Sequence, residues 1–137
     1  MARVLCIDYG AKRTGLAVTD PFQIIASGLD TVDTGMLLPY LKKYFSQETV
    51  ERILIGEPKN LNNSATHATP LVEKFIVVLG ENFPDIPVQK IDERFTSSMA
   101  KSAMLEMGMK KKQRQNKRLV DEIAATIMLQ QYLESKS

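Results

Sequence analysis

The sequence predicts an α/β protein with a mixed five-stranded sheet, in which three antiparallel strands are followed by two parallel strands, and with helices on both faces of the sheet. Two observations lead to this fold class. Three strand-like apolar runs follow one another in the first 32 residues without a helical pattern between them. After them, helical and strand-like periodicities alternate, which is typical of parallel strands joined by helices. The length of 137 residues suits a single domain over residues 1–137.

The first three strands are predicted over residues 3–9, 15–20 and 24–32, as an antiparallel meander. The first strand, RVLCIDY, is mostly apolar up to its acid, as expected for a buried strand. The segment GAKRTG follows it, and Gly10 and Gly15 permit a tight hairpin connection whose backbone lies close to a substrate. Pro21 ends the second strand, because proline has no N–H for the ladder.

The remaining elements are predicted from changes of apolar spacing along the chain. Apolar residues three and four apart indicate helices, and short apolar runs indicate strands. In order, they are a helix over 34–47, a strand over 52–58, a helix through 71–79 that can begin before Pro70, a strand over 86–93, a helix from Thr96 or Ser97 to Gly108, and a last helix over 118–134.

The charges are unevenly distributed. The net charge is only +2, but residues 110–118, KKKQRQNKR, hold six of the 18 basic residues and no acid. The rest of the chain has 12 basic and 16 acidic residues, a net charge of −4. This basic segment, residues 110–118, is expected to be a mobile loop that binds an anionic partner such as nucleic acid. A solvated run of charges is the alternative.

Composition excludes several classes of protein. Hydrophobic residues make up 44% of the chain and charged residues 25%. No apolar run approaches the roughly 18 residues of a membrane span, and the N-terminus enters a strand pattern directly, so neither a membrane anchor nor a signal peptide is expected. The single cysteine, Cys6, cannot form an internal disulfide and is predicted to be a buried thiol. A cytoplasmic location in a reducing compartment is therefore expected.

Carboxylates recur where predicted strands end. Asp8 ends the first strand, Glu57 follows the fourth, and Asp92 and Glu93 end the fifth, while Asp121 and Glu122 lie in the first turn of the last helix. A mixed sheet brings these positions to one edge, where clustered carboxylates repel one another and need cations such as Mg²⁺ or Mn²⁺. Two such ions about 4 Å apart can hydrolyse a phosphodiester. Acids are also common at sheet edges and in the first turn of a helix, where they interact favourably with its dipole.

The motifs CIDYGAKRTGLAVTD, ILIGEPKN, IDERFT and VDEIAATIMLQQYL occur in this order. Together they resemble the YqgF family over residues 3–134. These are small bacterial ribonuclease H-like proteins described as Holliday junction resolvases or pre-16S rRNA nucleases. The resemblance implies a ribonuclease H-like fold and a metal-dependent nuclease site. By motif position, Asp8, Glu93 and Asp121 are the implied catalytic metal ligands, whereas Asp20 ends a neighbouring antiparallel strand and is not expected to bind the metal.

One residue departs from the family pattern. This chain has GEP where the family has an apolar residue before the proline, so Glu57 is either a fourth ligand or a solvated glutamate. Basic residues near the acids are expected to contact phosphates. The expected nucleic-acid-binding residues are Lys12, Arg13, Arg94, Lys110, Lys111, Lys112, Arg114, Lys117 and Arg118.

The sequence therefore predicts a hydrolase, a nuclease that depends on Mg²⁺ or Mn²⁺. Its expected role is to process the 5′ end of pre-16S rRNA in ribosome biogenesis; the alternatives are resolution of Holliday junctions in branched DNA and a non-catalytic assembly factor. DYGAKRTG also looks like a phosphate loop of actin-like and sugar-kinase ATP-binding proteins, but those have two lobes. A monomer is expected because no apolar stripe marks an interface, and a dimer remains the alternative.

Overall fold

The computed structural model describes residues 2–57, 69–92 and 117–136, and this part of the chain forms five strands and three α-helices. The strands are β1 (Arg3–Asp8), β2 (Arg13–Thr19), β3 (Ala26–Asp33), β4 (Val50–Glu57) and β5 (Val88–Asp92). The helices are α1 (Leu37–Gln47), α2 (Thr69–Asn82) and α3 (Lys117–Lys136), and a 3-10 turn (Thr34–Met36) leads into α1.

All five strands belong to one sheet with the order β3-β2-β1-β4-β5. β1 pairs with β2, and β2 with β3, in antiparallel register. β1 pairs with β4, and β4 with β5, in parallel register. The predicted mixed sheet, with three antiparallel strands followed by two parallel strands, is therefore confirmed.

The two faces of the sheet bury separate apolar cores. Side chains alternate along a strand, so Leu5 and Ile7 of β1 face one layer while Val4 and Cys6 face the other. The first layer contains α1 and α2, and the second contains α3. Helices on both faces are thus confirmed, and the central strand β1 is covered on both sides, as its apolar sequence predicts.

Several element boundaries differ from the predicted ones. β2 begins at Arg13, so Gly15 lies inside the strand and the connection after β1 covers only residues 9–12. α3 begins at Lys117 and not at residue 118. As a result, Asp121 lies in the second turn of α3, and the prediction that it lies in the first turn is wrong. Residues 117–120 contain no proline or glycine, so the helix includes them and begins before the acid.

The start of α3 also corrects the predicted extent of the basic segment. Its last two residues, Lys117 and Arg118, belong to the helix and are not part of a loop. α2 begins at Thr69, before Pro70, in agreement with the sequence pattern. Proline is tolerated there because the first-turn N–H groups have no partner within the helix. The helix predicted from Thr96 or Ser97 to Gly108 lies outside the described residues.

Among the residues that the structure describes, no helix is both long enough and apolar enough to span a membrane.

Candidate active site

Asp8 occupies the end of the central strand, next to β2. It alternates with Val4 and Cys6, so it lies on the face of the sheet that α3 covers. Its register partner across the antiparallel pair is Gly15. Asp8 is half-buried, and its position is set by a strand that is paired on both sides. The carboxylate of Asp8 is thereby held at the C-terminal end of a rigid central strand.

Gly15 is the point at which α3 rests on the sheet. A Cβ at this position would collide with the carbonyl group of Asp121 and lie 3.0 Å from the backbone nitrogen of Glu122. Only glycine allows the helix backbone to come this close to β2. Since Asp8 is the register partner of Gly15, this contact brings the backbone of Asp121 beside the end of β1. The backbones of Asp8 and Asp121 therefore both lie next to Gly15.

Arg13 forms an ion pair with Asp121. Its Nε donates a hydrogen bond to Oδ2 of the carboxylate over 3.1 Å, and both side chains are about two-thirds buried. The pair joins the start of β2 to the second turn of α3. The sequence assigned one of these residues to nucleic acid and the other to a metal ion, and it did not predict that they contact each other.

The connection between β1 and β2 is held by Thr34, a residue that the sequence did not identify. The Thr34 N–H donates to the carbonyl oxygen of Lys12 over 2.9 Å, and its hydroxyl donates to that of Gly10 over 2.6 Å. The Thr34 hydroxyl also lies 2.9 Å from that of Thr14, which must be the donor because each hydroxyl has one proton. Lys12 itself is exposed at the tip. A basic side chain is thus presented on a braced turn beside the two acids.

Gly10 makes this turn possible, because a Cβ there would collide with the carbonyl oxygen of Arg13. Tyr9, at the start of the turn, packs its ring on Phe75 with a centroid separation of 4.9 Å. Burial raises the pKa of the Tyr9 phenol. Tyr9 therefore anchors the turn to α2.

Asp20 has a structural role at the opposite end of β2. Its carboxylate accepts hydrogen bonds from the backbone N–H groups of Phe22, Ile24 and Ile25. These bonds, chiefly the one from Ile25, lower the pKa of Asp20 below its ordinary value. The carboxylate closes the turn between β2 and β3. Asp20 thus has a structural role in this turn, and its exclusion from the metal site stays a prediction.

A second group of polar residues lies where α3 crosses β3. Burial, and secondarily the carboxylate of Asp30, raises the pKa of Glu122. Burial and a hydrogen bond with Asp30 raise the pKa of Tyr40 to about 12. Gly28 makes room for Glu122, because a Cβ there would collide with the glutamate side chain. The sequence offered no signal for this contact, since the residues come from separate elements.

Several predicted site residues have no described side chain. The backbone of Glu57 ends β4 in register with Asp92, and Lys117 and Arg118 lie in the first turn of α3. The predicted residues outside the described ranges are Glu93, Arg94, Lys110, Lys111, Lys112 and Arg114. Within residues 2–57, 69–92 and 117–136, no three acids, histidines or cysteines stand close enough to hold a metal ion. The three-acid set includes Glu93 and therefore stays a prediction.

Known proteins are similar to this chain over almost its whole length. A family model described as "RuvX: Holliday junction resolvase" matches residues 2–135. A Flavobacterium psychrophilum protein named "Putative pre-16S rRNA nuclease" is 55% identical over 136 residues, which cover 99% of each chain. A Phocaeicola vulgatus protein of the same name is 57% identical over 136 residues, which cover 99% of this chain and 98% of that protein.

Two solved structures have a similar fold. The structure titled "T. thermophilus RuvC in complex with Holliday junction substrate" superposes with a TM-score of 0.62 at 17% identity, covering 99% of this chain and 96% of that chain. The structure titled "Thermus thermophilus RuvC structure" gives 0.57 at 16% identity, covering 98% and 95%. At this level of identity the likeness concerns the fold, and it confirms the ribonuclease H-like architecture.

Proposed function

Because this chain belongs to the RuvX family, we propose that it is a nuclease that hydrolyses phosphodiester bonds of structured nucleic acid with Mg²⁺ or Mn²⁺. The observation that carries this proposal is the contact at Gly15, which brings the carboxylate-bearing residues Asp8 and Asp121 together on one face of the sheet. They come from a strand and a helix more than 100 residues apart in sequence.

The donors suit a hard divalent cation. Asp8 and Asp121 supply carboxylate oxygens, the ligands that Mg²⁺ and Mn²⁺ prefer. Asp121 already has one cationic partner, the guanidinium of Arg13, with which a bound metal ion would compete. In the proposed site Glu93 completes the set, and Glu57 is either a fourth ligand or a solvated side chain. When bound, the cation supplies Lewis acidity at the scissile phosphate.

The basic residues position the substrate. Lys12 stands on the braced turn beside the acids, and Arg13 lies one residue further along. Arg94 follows Glu93 directly, and the basic segment leads into α3, which holds Asp121. Contacts of this kind recognise phosphates and carry no base specificity, so they orient a backbone over the carboxylates.

The substrate we propose is the 5′ end of pre-16S rRNA, which the names of relatives at 55–57% identity support. The description of the family model supports a second candidate, the Holliday junction. A symmetric junction presents two strands for cleavage and so calls for two active sites. A monomer fits RNA processing, whereas a dimer fits junction resolution.

Incubation of the purified protein with a 16S precursor and with a four-way junction, in Mn²⁺ and in EDTA, tests the proposal. Cleavage of the precursor in Mn²⁺ and its loss in EDTA are expected. Asp8→Asn should lower the cleavage rate by orders of magnitude while nucleic-acid binding persists, because a ligand is lost and the fold is kept. Asp85→Asn, an exposed acid between α2 and β5, is the matched control. Cleavage by Asp8→Asn at the wild-type rate would contradict the metal role of Asp8. Binding of nucleic acid by the wild type without cleavage in Mn²⁺ would favour a non-catalytic assembly factor.

The same assay separates the two readings of Glu57. Glu57→Leu restores the apolar residue of the family pattern, and its cleavage rate should stay within about tenfold of the wild type, because water and substrate oxygens complete a Mg²⁺ shell. A much higher Mn²⁺ requirement in Glu57→Leu would instead identify Glu57 as a fourth ligand.

A further inference from the structure

The ion pair between Arg13 and Asp121 occupies the carboxylate that the proposed site needs for its cation. Arg13 Nε lies 3.1 Å from Asp121 Oδ2, and both side chains are about two-thirds buried. The pair separates when the guanidinium moves away from the carboxylate. Because the guanidinium holds Oδ2 and neutralises the carboxylate, a cation that binds Asp121 must compete with Arg13 for this charge and this oxygen.

We propose that Arg13 and the divalent cation compete for the carboxylate of Asp121, so that binding of the cation releases the guanidinium for a phosphate of the substrate. This inference rests on the proposed function, since it takes Asp121 as a ligand. It adds a second role for Arg13: in the absence of the cation, the side chain neutralises an acid beside Asp8.

The position of Arg13 supports such an exchange. It is the first residue of β2 and continues from the turn that Thr34 holds, so its backbone is fixed by the ladder to Asp33. The side chain retains access to solvent at 31% exposure. A fixed backbone with a long and partly exposed side chain allows the guanidinium to change partner without moving the strand. The released group stays beside the acids, where a phosphate would be bound.

Coupling follows from the competition. If the cation takes Asp121 from Arg13, it makes Arg13 available to nucleic acid, and nucleic acid that holds Arg13 makes Asp121 available to the cation. Each ligand then increases the affinity of the other, by the same factor in both directions. The ion pair would thereby disfavour cation binding before the substrate arrives.

The first test measures Mn²⁺ affinity at constant ionic strength without nucleic acid. Arg13→Gln should bind Mn²⁺ about tenfold more tightly than the wild type, because the competing charged hydrogen bond is gone. Lys12→Gln removes the neighbouring exposed charge and should change the affinity by less than about twofold, because solvent screens that charge. Structural damage would weaken the site, so an increase in affinity is specific to competition.

Outcomes of this titration separate the two proposals. Unchanged or weaker Mn²⁺ binding in Arg13→Gln, or an equal increase in Lys12→Gln, would overturn the competition and leave the metal site intact. If the wild type does not bind Mn²⁺, or if Asp8→Asn binds it as tightly as the wild type, the proposed function and this inference are both overturned. Arg13→Met, which keeps the aliphatic stem without the charge, repeats the test if Arg13→Gln does not fold.

The second test measures nucleic-acid affinity in EDTA, where neither the cation nor cleavage intervenes. Asp121→Asn frees Arg13 permanently and should bind a four-way junction about threefold to tenfold more tightly than the wild type. In the double variant Arg13→Gln/Asp121→Asn this gain should disappear, which is the non-additivity expected of a coupled pair. Glu122→Gln, which removes the next acid of α3, is the control. Its effect on nucleic-acid affinity should be the same with Arg13 present and with Arg13→Gln. An additive cycle for Arg13 and Asp121 would overturn the release of Arg13 to phosphate.

Discussion

Gly15 determines how closely α3 approaches β2, and through this contact it positions Asp121. A methyl group at position 15 would overlap the Asp121 carbonyl, so the helix would have to move away from the sheet. We expect Gly15→Ala to lower the free energy of unfolding by roughly 1–3 kcal/mol, the usual cost of overpacking. Cleavage per folded molecule should also fall, because Asp121 moves with the helix. Urea denaturation and cleavage assays on the purified variant measure both effects.

The matched control for Gly15 is Gly35→Ala. A Cβ at position 35 meets nothing within 4 Å, so its effect on the free energy of unfolding should stay within about 0.5 kcal/mol. Equal effects of Gly15→Ala and Gly35→Ala would show that the helix does not depend on this contact.

Asp20 provides a prediction about pH. Its carboxylate holds the turn that displays Phe22, Ile24 and Ile25, each more than 60% exposed. Because the folded state lowers the pKa of Asp20 below its ordinary value of 3.8, the stabilisation is complete above that pH and is lost as the pH falls through the lower, folded-state pKa. Asp20→Ala should therefore have a lower melting temperature than the wild type at pH 7, and the difference should shrink below about pH 4.

Thermal unfolding between pH 2.5 and pH 8 checks this prediction, with Asp85→Ala as the control acid. A difference between wild type and Asp20→Ala that is independent of pH would show that the loss is one of packing and not of the charged hydrogen bonds.

At the scale of elements, small residues explain the close packing of α3. Ala125 of the helix, Ala17 of β2 and Cys6 of β1 belong to the core at this interface, and Ala124 is buried as well. Side chains this small allow a helix to lie low over a sheet, and the contact at Gly15 continues the same approach. The alanine pair in the motif VDEIAATIMLQQYL therefore has a packing role that accompanies the acid before it.

The basic segment is predicted to bind the phosphates of nucleic acid through its positive charges. We expect the substitution of Lys110, Lys111, Lys112 and Arg114 by glutamine to weaken binding to RNA and DNA alike, because phosphate contacts carry no sequence information. Each lost phosphate contact should reduce the magnitude of the slope of log affinity against log salt by about 0.7–0.9. The four substitutions together should therefore reduce it by roughly 3. Fluorescence anisotropy over a range of salt concentrations measures it.

The control for the basic segment replaces three exposed lysines of α1 and α2 by glutamine: Lys42, Lys43 and Lys74. Its salt slope should stay close to that of the wild type. If the two variants behave alike, the basic segment is a solvated run of charges.

At the scale of the whole molecule, a cation that binds only the folded chain should stabilise it. Mn²⁺ at 100 times its dissociation constant should raise the free energy of unfolding by about 2.7 kcal/mol. Asp8→Asn should lose this increment, because the folded state then lacks a ligand, while Asp85→Asn should keep it. Urea denaturation in Mn²⁺ and in EDTA tests the expectation, and an equal increment in Asp8→Asn would place the cation elsewhere.

The amino-acid sequence alone predicts which strands are antiparallel and which are parallel, the order of the elements along the chain and the burial of β1. These properties depend on periodicity over five to fifteen neighbouring residues, which the chain displays directly. The acids at the ends of β1 and β4 were also predicted, because the end of an apolar run marks the edge of a sheet.

Which side chains contact each other depends on the tertiary packing. Arg13 and Asp121 are 108 positions apart, and nothing in either local pattern identifies the other as a partner. Gly15 reads as a turn residue in sequence, but in the structure it lies inside β2 and supports a helix. The physical reason is that backbone periodicity is local, whereas contacts between layers depend on how closely a helix can approach a sheet. The absence of a side chain at Gly15 sets that distance.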